Sequence, residues 1–95
     1  MFGIFKRQPK FNSPEEKLRH KMLKQIEYRA LAAFKKSPMR GTHAEGLVLI
    51  QEINDAKEFY TSRSISVSKD YGVSRENTIK IINECAKVVY KQLIE

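Results

Sequence analysis

The side chains that most often carry chemistry are scattered in this chain. Its 95 residues include one cysteine, Cys85, and two histidines, His20 and His43. A zinc site needs three or four such ligands at close spacing, and neither histidine has an acidic or cysteine partner at that spacing. Cys85 falls on the apolar side of a predicted helix, where a small core residue is the simplest interpretation. The sequence therefore predicts no metal, no cofactor and no catalytic thiol.

Adjacent carboxylates at Glu15 and Glu16 could in principle act as a general acid and base. They directly follow Ser13 and Pro14, however, and this order is typical of a helix start. The serine can cap free amides, proline suits the first helical position, and Glu16 can close a capping box. Capping is the preferred interpretation, and an enzyme is the least supported class because no nucleophile–base pairing is visible.

Two glycines near a predicted helix start raise the question of a phosphate site. Gly41 and Gly46 lie close to Arg40, but their spacing matches neither a Walker loop nor a dinucleotide fingerprint. Thr42 and Glu45 form the T-x-x-E pattern of a capping box. This stretch therefore predicts the start of a second helix at about residue 42. No motif for a small-molecule substrate is evident in it.

The stretch 74–95 contains neither Gly nor Pro and has helical periodicity. Its apolar stripe consists of Ile79, Ile82, Cys85, Ala86, Val89 and Leu93. Ile81 and Val88 widen the stripe on one side and Tyr90 on the other, so that it covers roughly half the helix circumference. We therefore expect this helix to lie between at least two neighbours.

The fold class predicted is all-α, a small bundle of three main helices at about 13–36, 42–63 and 74–95. The linker 64–73 is ambiguous, because its alternating residues suggest a strand or a Ser-rich loop as alternatives. No second strand is evident to pair with it. We therefore prefer a short fourth helix, roughly 66–71, closed by Gly72.

The chain divides into a tail, 1–12, and a single helical-bundle domain, 13–95. The tail combines the apolar side chains Phe2, Ile4 and Phe5 with three basic and no acidic residues. It could cover one end of the bundle or attach weakly to an anionic membrane surface. No secretory signal or membrane span is evident, and the lone cysteine fits a reducing compartment, so we predict a cytoplasmic protein.

Positive charge is concentrated near the beginning of the chain. The formal net charge is +7, and residues 13–38 hold seven basic and three acidic side chains. On a helical projection, one face opposite the apolar stripe of the first helix carries Lys17, Lys21, Lys24, Tyr28 and Lys35. This lysine stripe is a candidate polyanion-binding surface, although a solvated face is the common alternative.

Residues 72–75, Gly-Val-Ser-Arg, resemble the turn and second-helix start of helix-turn-helix DNA-binding proteins, and the resemblance spans 66–82. It implies that Arg75, Glu76, Asn77 and Lys80 would lie near a major groove. The family places a hydrophobic residue six positions after the glycine. Here Thr78 occupies that position and Ile79 follows it, a one-residue slip that would rotate the helix by about 100°.

Three functions remain open, and a non-enzymatic protein–protein interaction module leads them. In this interpretation the surplus apolar width at Ile81 and Val88, together with Phe2, Ile4 and Phe5 of the tail, binds a protein partner or a second copy, so that self-association is expected. A nucleic-acid-binding protein is the alternative, through the lysine stripe or through Arg75 and Lys80. A peripheral membrane-surface binder acting through the tail is the third.

Overall fold

Four α-helices follow one another in the computed structural model, which describes residues 12–39 and 41–94. They are α1 (Pro14–Lys35), α2 (Glu45–Ser62), α3 (Ser64–Tyr71) and α4 (Arg75–Leu93). Each helix contacts the other three, and the contacts of α1 with α4 and α2 are the most extensive. The all-α bundle is therefore confirmed, and the linker 64–73 contains the expected fourth helix rather than a strand.

The tail lies outside the described residues except for Asn12, and with it lie Phe2, Ile4 and Phe5. The expectations that concern the tail, including its separation from the bundle domain, therefore stay predictions. Within the described part of the chain, no helix is both long enough and apolar enough to cross a membrane.

The start of α1 has the capping contacts that its sequence predicts, with one shift. The Ser13 hydroxyl accepts a hydrogen bond from the Glu16 amide at 3.2 Å, and Pro14 occupies the first helical turn. The Glu16 carboxylate accepts from the amide of Asn12 at 3.1 Å, one residue before the capping serine. Both contacts satisfy backbone donors that a helix start leaves free.

The start of α2 differs from the prediction. The helix begins at Glu45, and its capping residue, Ala44, offers no side-chain hydrogen bond. The Thr42 hydroxyl instead donates to the carbonyl of Met39 at 2.6 Å and accepts from the amide of Ala44 at 3.2 Å. The predicted capping box of Thr42 and Glu45 is wrong because the threonine closes the turn that precedes the helix.

The core is centred on α4, which contributes six buried residues. Thirteen buried hydrophobic residues form one cluster: Leu18, Met22, Ile26, Ala30, Leu49, Ile53, Ala56, Val73, Ile81, Ile82, Cys85, Ala86 and Val89. Helices α1, α2 and α3 all pack against α4. This arrangement explains the wide apolar face of α4 and confirms that the helix lies between several neighbours.

One predicted interface residue belongs to this core. Ile81 is only 3% exposed, so its assignment to a protein-binding surface is wrong. The apolar face of α4 is wide because it meets three helices, and Ile81 is therefore covered within the chain. Val88, by contrast, is 40% exposed and stays a candidate contact residue.

Candidate nucleic-acid interface

The turn between α3 and α4 is built by three consecutive residues with separate roles. Gly72 ends α3 in the left-handed region, at φ +69°, a conformation that costs a residue with a Cβ atom about 1 kcal/mol or more. The amides of Gly72 and Val73 both donate to the carbonyl of Ser68, at 2.9 and 3.2 Å. The hydroxyl of Ser74 then caps α4 by accepting a hydrogen bond from the backbone amide of Asn77 at 3.2 Å. The chain thus leaves one helix and enters the next within three residues.

Burial at the start of α4 follows the register of a helix-turn-helix unit. Val73 is 4% exposed, Thr78 is fully buried and Ile81 is 3% exposed. Ile79 is only half-buried, so the position six after Gly72 faces the core even though it holds a threonine. The rotation of about 100° that the sequence suggested is therefore absent.

Thr78 tolerates full burial because its polar atom is satisfied locally. Its hydroxyl donates to the carbonyl of Ser74 at 2.8 Å, and its amide donates to the same carbonyl at 2.8 Å. The threonine methyl is thereby left for the core. The threonine was predicted to break the family pattern because its residue type does not reveal by itself whether it is buried.

The first two turns of α4 also carry four polar side chains. Arg75, Glu76, Asn77 and Lys80 are all solvent-exposed, as the resemblance implies. The Nε of Arg75 lies 3.5 Å from the hydroxyl of Ser64, which is 2% exposed at the start of α3. This contact links the first residue of α4 to α3 through the Nε of the Arg75 guanidinium.

An ion pair borders this face on the side of α1. The Arg19 guanidinium donates to the Glu84 carboxylate at 2.7 Å, and both side chains are partly exposed. The hydrogen bond from Arg19 is the main reason why the pKa of Glu84 lies below its usual value. Desolvation opposes it as the second-largest effect, and the charges of Arg19, Lys80 and Lys87 each lower the pKa by less. Glu84 is therefore ionised and engaged at neutral pH.

Two arginines flank one aromatic ring close to the start of α3. The guanidinium carbon of Arg29 lies 3.5 Å from the centroid of the Phe59 ring, and that of Arg63 lies 3.7 Å from it. Arg63 also donates to the carbonyl of Phe59 at 3.2 Å. Stacking of this kind restrains two exposed positive charges. The sequence gives no sign of the Arg29 contact because Arg29 lies on α1 and Phe59 on α2, whereas the spacing of four residues between Phe59 and Arg63 is a local signal.

The lysine stripe on α1 has a different construction. Lys17, Lys21, Lys24 and Lys35 are exposed, and Tyr28 is 71% exposed. A shallow depression of about 510 Å³ runs along part of the stripe, and its lining belongs entirely to α1 and the residue after it. Among residues 12–39 and 41–94 no second element contributes to its walls, so the stripe presents charge without a defined shape.

A third surface, between α2 and α4, was not predicted. The groove has a volume of about 430 Å³, and its apolar lining comes from Ile50, Ile53, Ala86 and Tyr90. Its polar lining comes from Asn54, Lys57, Asn83, Lys87 and Lys91. Periodicity within each helix could not reveal it, because the lining alternates between two helices far apart in the sequence.

Cys85 lies where the sequence placed it, inside the core. It is fully buried, and its thiol donates to the carbonyl of Arg19 at 3.5 Å. Burial raises the pKa of this thiol to about 11, so it is protonated at neutral pH and a poor nucleophile. Among residues 12–39 and 41–94, no three His, Cys, Asp or Glu side chains lie close enough to hold a metal ion.

Comparison with known proteins adds no assignment to this geometry. No protein-family model, no curated protein and no solved structure matches the chain.

Proposed function

We propose that this protein binds double-stranded DNA, with the first turns of α4 placed in the major groove. The observation that carries the proposal is the burial of Thr78 and Ile81 on the core side of α4 while Arg75 and Lys80 stay exposed. An eight-residue helix, a left-handed glycine and a capping serine precede this surface in the order that a helix-turn-helix unit requires. DNA binding, which the sequence left open as the alternative to protein binding, is therefore better supported than protein binding.

Each exposed side chain at the start of α4 suits a different contact. The guanidinium of Arg75 can donate two hydrogen bonds to a guanine, and the side-chain amide of Asn77 can form two hydrogen bonds with an adenine. Lys80 lies one turn after Glu76 on the same side of the helix and suits a phosphate or a guanine. Each good pair of contacts with a base discriminates by about 1–3 kcal/mol.

Contacts with the DNA backbone would come from the start of α3. Arg63 directly precedes α3, and its guanidinium stacks on the ring of Phe59. Basic side chains and helix starts of this kind fix the register of a protein on the duplex without reading its sequence. The formal net charge of +7 adds a general attraction to the phosphates.

The test is a titration of a fluorescent random-sequence duplex, followed by anisotropy at low and near-physiological salt. Binding that weakens steeply with salt is expected. Amide chemical shifts recorded during the titration should change first at 72–80. If the shifts instead concentrate on the lysine stripe of α1, or if no binding occurs at low salt, the proposal is wrong.

Protein binding is the second candidate function. Leu47 is 72% exposed, Ile65 is 56% exposed and Val88 is 40% exposed, so three apolar side chains on three helices face solvent. Self-association through Val88 stays a prediction, and sedimentation equilibrium of a Val88→Glu variant would test it. Membrane attachment through the tail likewise stays a prediction, since it depends on residues outside the described part.

A further inference from the structure

We propose that the groove between α2 and α4 binds an acidic amphipathic helix of a partner protein. Three lysines, Lys57, Lys87 and Lys91, line this groove together with the amides of Asn54 and Asn83. Among the described residues no carboxylate contributes to the lining. The groove therefore selects negative charge, and its function is independent of the DNA contacts proposed at the start of α4.

The floor of the groove explains why the partner must also be apolar on one side. Ile53 and Ala86 are buried at its base, and Ile50 and Tyr90 are half-buried above them. An entirely polar anion would leave this surface unpaired. Helices commonly enter such grooves with apolar anchors at i, i+3 or i+4 and i+7, while charged residues stay at the rim.

The apolar surface continues along α2 beyond the groove. Leu47 lies one turn before Ile50, on the same side of α2, and is 72% exposed. A helix laid along α2 would cover this leucine and the groove floor together. This is the most exposed large hydrophobic side chain among the described residues, and the proposal gives it a contact.

Charge favours an acidic partner over two other occupants of the groove, the tail of this chain and a second copy of the protein. The tail carries three basic and no acidic residues, so it would bring like charges to the lysines. A twofold contact between two copies of the groove would bring two sets of three lysines into one interface, because such a contact uses the same patch twice. An acidic segment from a different protein has neither conflict.

The experiment uses the full chain and a synthetic helical peptide of about 16 residues, long enough to cover some four turns. Its leucines follow the i, i+3, i+7 spacing and its other residues are mostly glutamate. The control peptide has the same composition in scrambled order, so its charge is equal but its apolar stripe is broken. Isothermal titration calorimetry gives the affinities, and amide chemical shifts give the binding surface.

We expect the amphipathic peptide to bind about tenfold or more tightly than the scrambled one. Replacement of all three groove lysines, as Lys57→Gln, Lys87→Gln and Lys91→Gln, should weaken binding about tenfold. The matched control replaces three lysines of the α1 stripe: Lys17→Gln, Lys21→Gln and Lys24→Gln. It removes the same charge and should change the affinity by less than about twofold.

A second variant protects the test against a folding artefact. Asn83→Trp places a large side chain at an exposed position of the groove wall without removing a core contact. Its circular dichroism should match that of the parent chain, and its peptide binding should be lost.

Equal binding of both peptides, or equal weakening by both triple variants, would show that only bulk charge matters and would overturn the proposal. The proposal is also wrong if the groove lysine variant loses duplex-DNA binding while peptide binding is unchanged. The three lysines would then belong to the nucleic-acid surface.

Discussion

The lysine stripe of α1 and the first turns of α4 are both basic, but they are built in opposite ways. The stripe has four exposed lysines on one helix, and no other element shapes it. The start of α4 has only Arg75 and Lys80, yet a turn and a cap fix the helix that carries them, and Arg75 also contacts α3. The stripe holds more charge, and the α4 surface holds the better-defined geometry.

The difference shows why the count of charges is a poor guide to a binding site. Flexible lysines on a single helix attract any polyanion and release it as salt rises. Side chains held on a fixed turn can meet base edges in a defined register, which is the source of specificity. A charge placed at a buried residue under the α4 surface should therefore lower stability, whereas a charge exchange at an exposed lysine of the stripe should not.

The largest expected effect comes from a buried charge under the α4 surface. Thr78→Glu places a carboxylate at a fully buried position and should lower the free energy of unfolding by about 3 kcal/mol or more. Lys21→Glu, on the exposed stripe, should change it by less than about 0.5 kcal/mol. Urea denaturation followed by circular dichroism measures both.

Thr78→Val is the control for shape at the same position. It keeps the buried methyl group and puts a second methyl in place of the hydroxyl, while the carbonyl of Ser74 keeps its bond from the residue-78 amide. We expect a change within about 1 kcal/mol. A loss as large as that of Thr78→Glu would mean that the hydroxyl, rather than the burial, holds the turn.

Two glycine substitutions should have effects of opposite sign. Gly72→Ala forces a Cβ atom into the left-handed region and should destabilise the fold by about 1 kcal/mol, although no atom lies within 4 Å of the new methyl group. Gly46→Ala, in the first turn of α2, meets no atom within 4 Å and should stabilise the fold by about 0.5 kcal/mol. Thermal unfolding gives both shifts, and equal signs would contradict the assigned turn conformation.

Removal of a carboxylate should affect DNA binding unequally on the two surfaces. Glu76→Gln takes a negative charge away from the exposed side of α4, beside Arg75, and should strengthen duplex binding by about threefold. Glu27→Gln borders the lysine stripe and should change the affinity much less. Anisotropy titrations at one fixed salt concentration measure both, and the reverse order would move the DNA surface to α1.

The smallest effect concerns the ion pair that borders the α4 surface. Arg19→Ala removes the main cause of the lowered Glu84 pKa, so that pKa should rise, as carboxyl chemical shifts followed against pH would show. Because the folded pKa lies below the unfolded one, Glu84 stabilises the parent chain above the unfolded pKa. This contribution is lost as the pH falls through the folded pKa. An unchanged Glu84 pKa in the variant would mean that other groups set it.

Local signals predicted the helices well and their surroundings less well. Ser13, Gly72 and Ser74 act within a few residues of themselves, so the sequence located three of the helix boundaries. The predicted start of α2 was wrong because the Thr42 hydroxyl had two possible local roles. In the structure it donates to the carbonyl of Met39 and does not cap the helix. Short-range competition of this kind is not resolved by a four-residue pattern.

Contacts between helices were the part that periodicity could not supply. A wide apolar face indicates several neighbours but not which of its residues stay exposed. Ile81 and Val88 were therefore both assigned to an interface, although only Val88 is exposed. The groove between α2 and α4 and the stacking of Arg29 on Phe59 need residues from distant segments, whereas Arg63 lies only four residues from Phe59. The exposed residues at the start of α4 were predicted because a resemblance, rather than periodicity, specified them.

The most direct test compares two double variants that remove the same charge. Arg75→Ala with Lys80→Ala alters the α4 surface, and Lys17→Ala with Lys21→Ala alters the lysine stripe, while all four residues are exposed and outside the core. Duplex-DNA anisotropy at near-physiological salt should show a loss of about tenfold or more for the first pair and less than about threefold for the second. Equal losses, or a larger loss for the second pair, would contradict the account, because charge alone would then explain the binding.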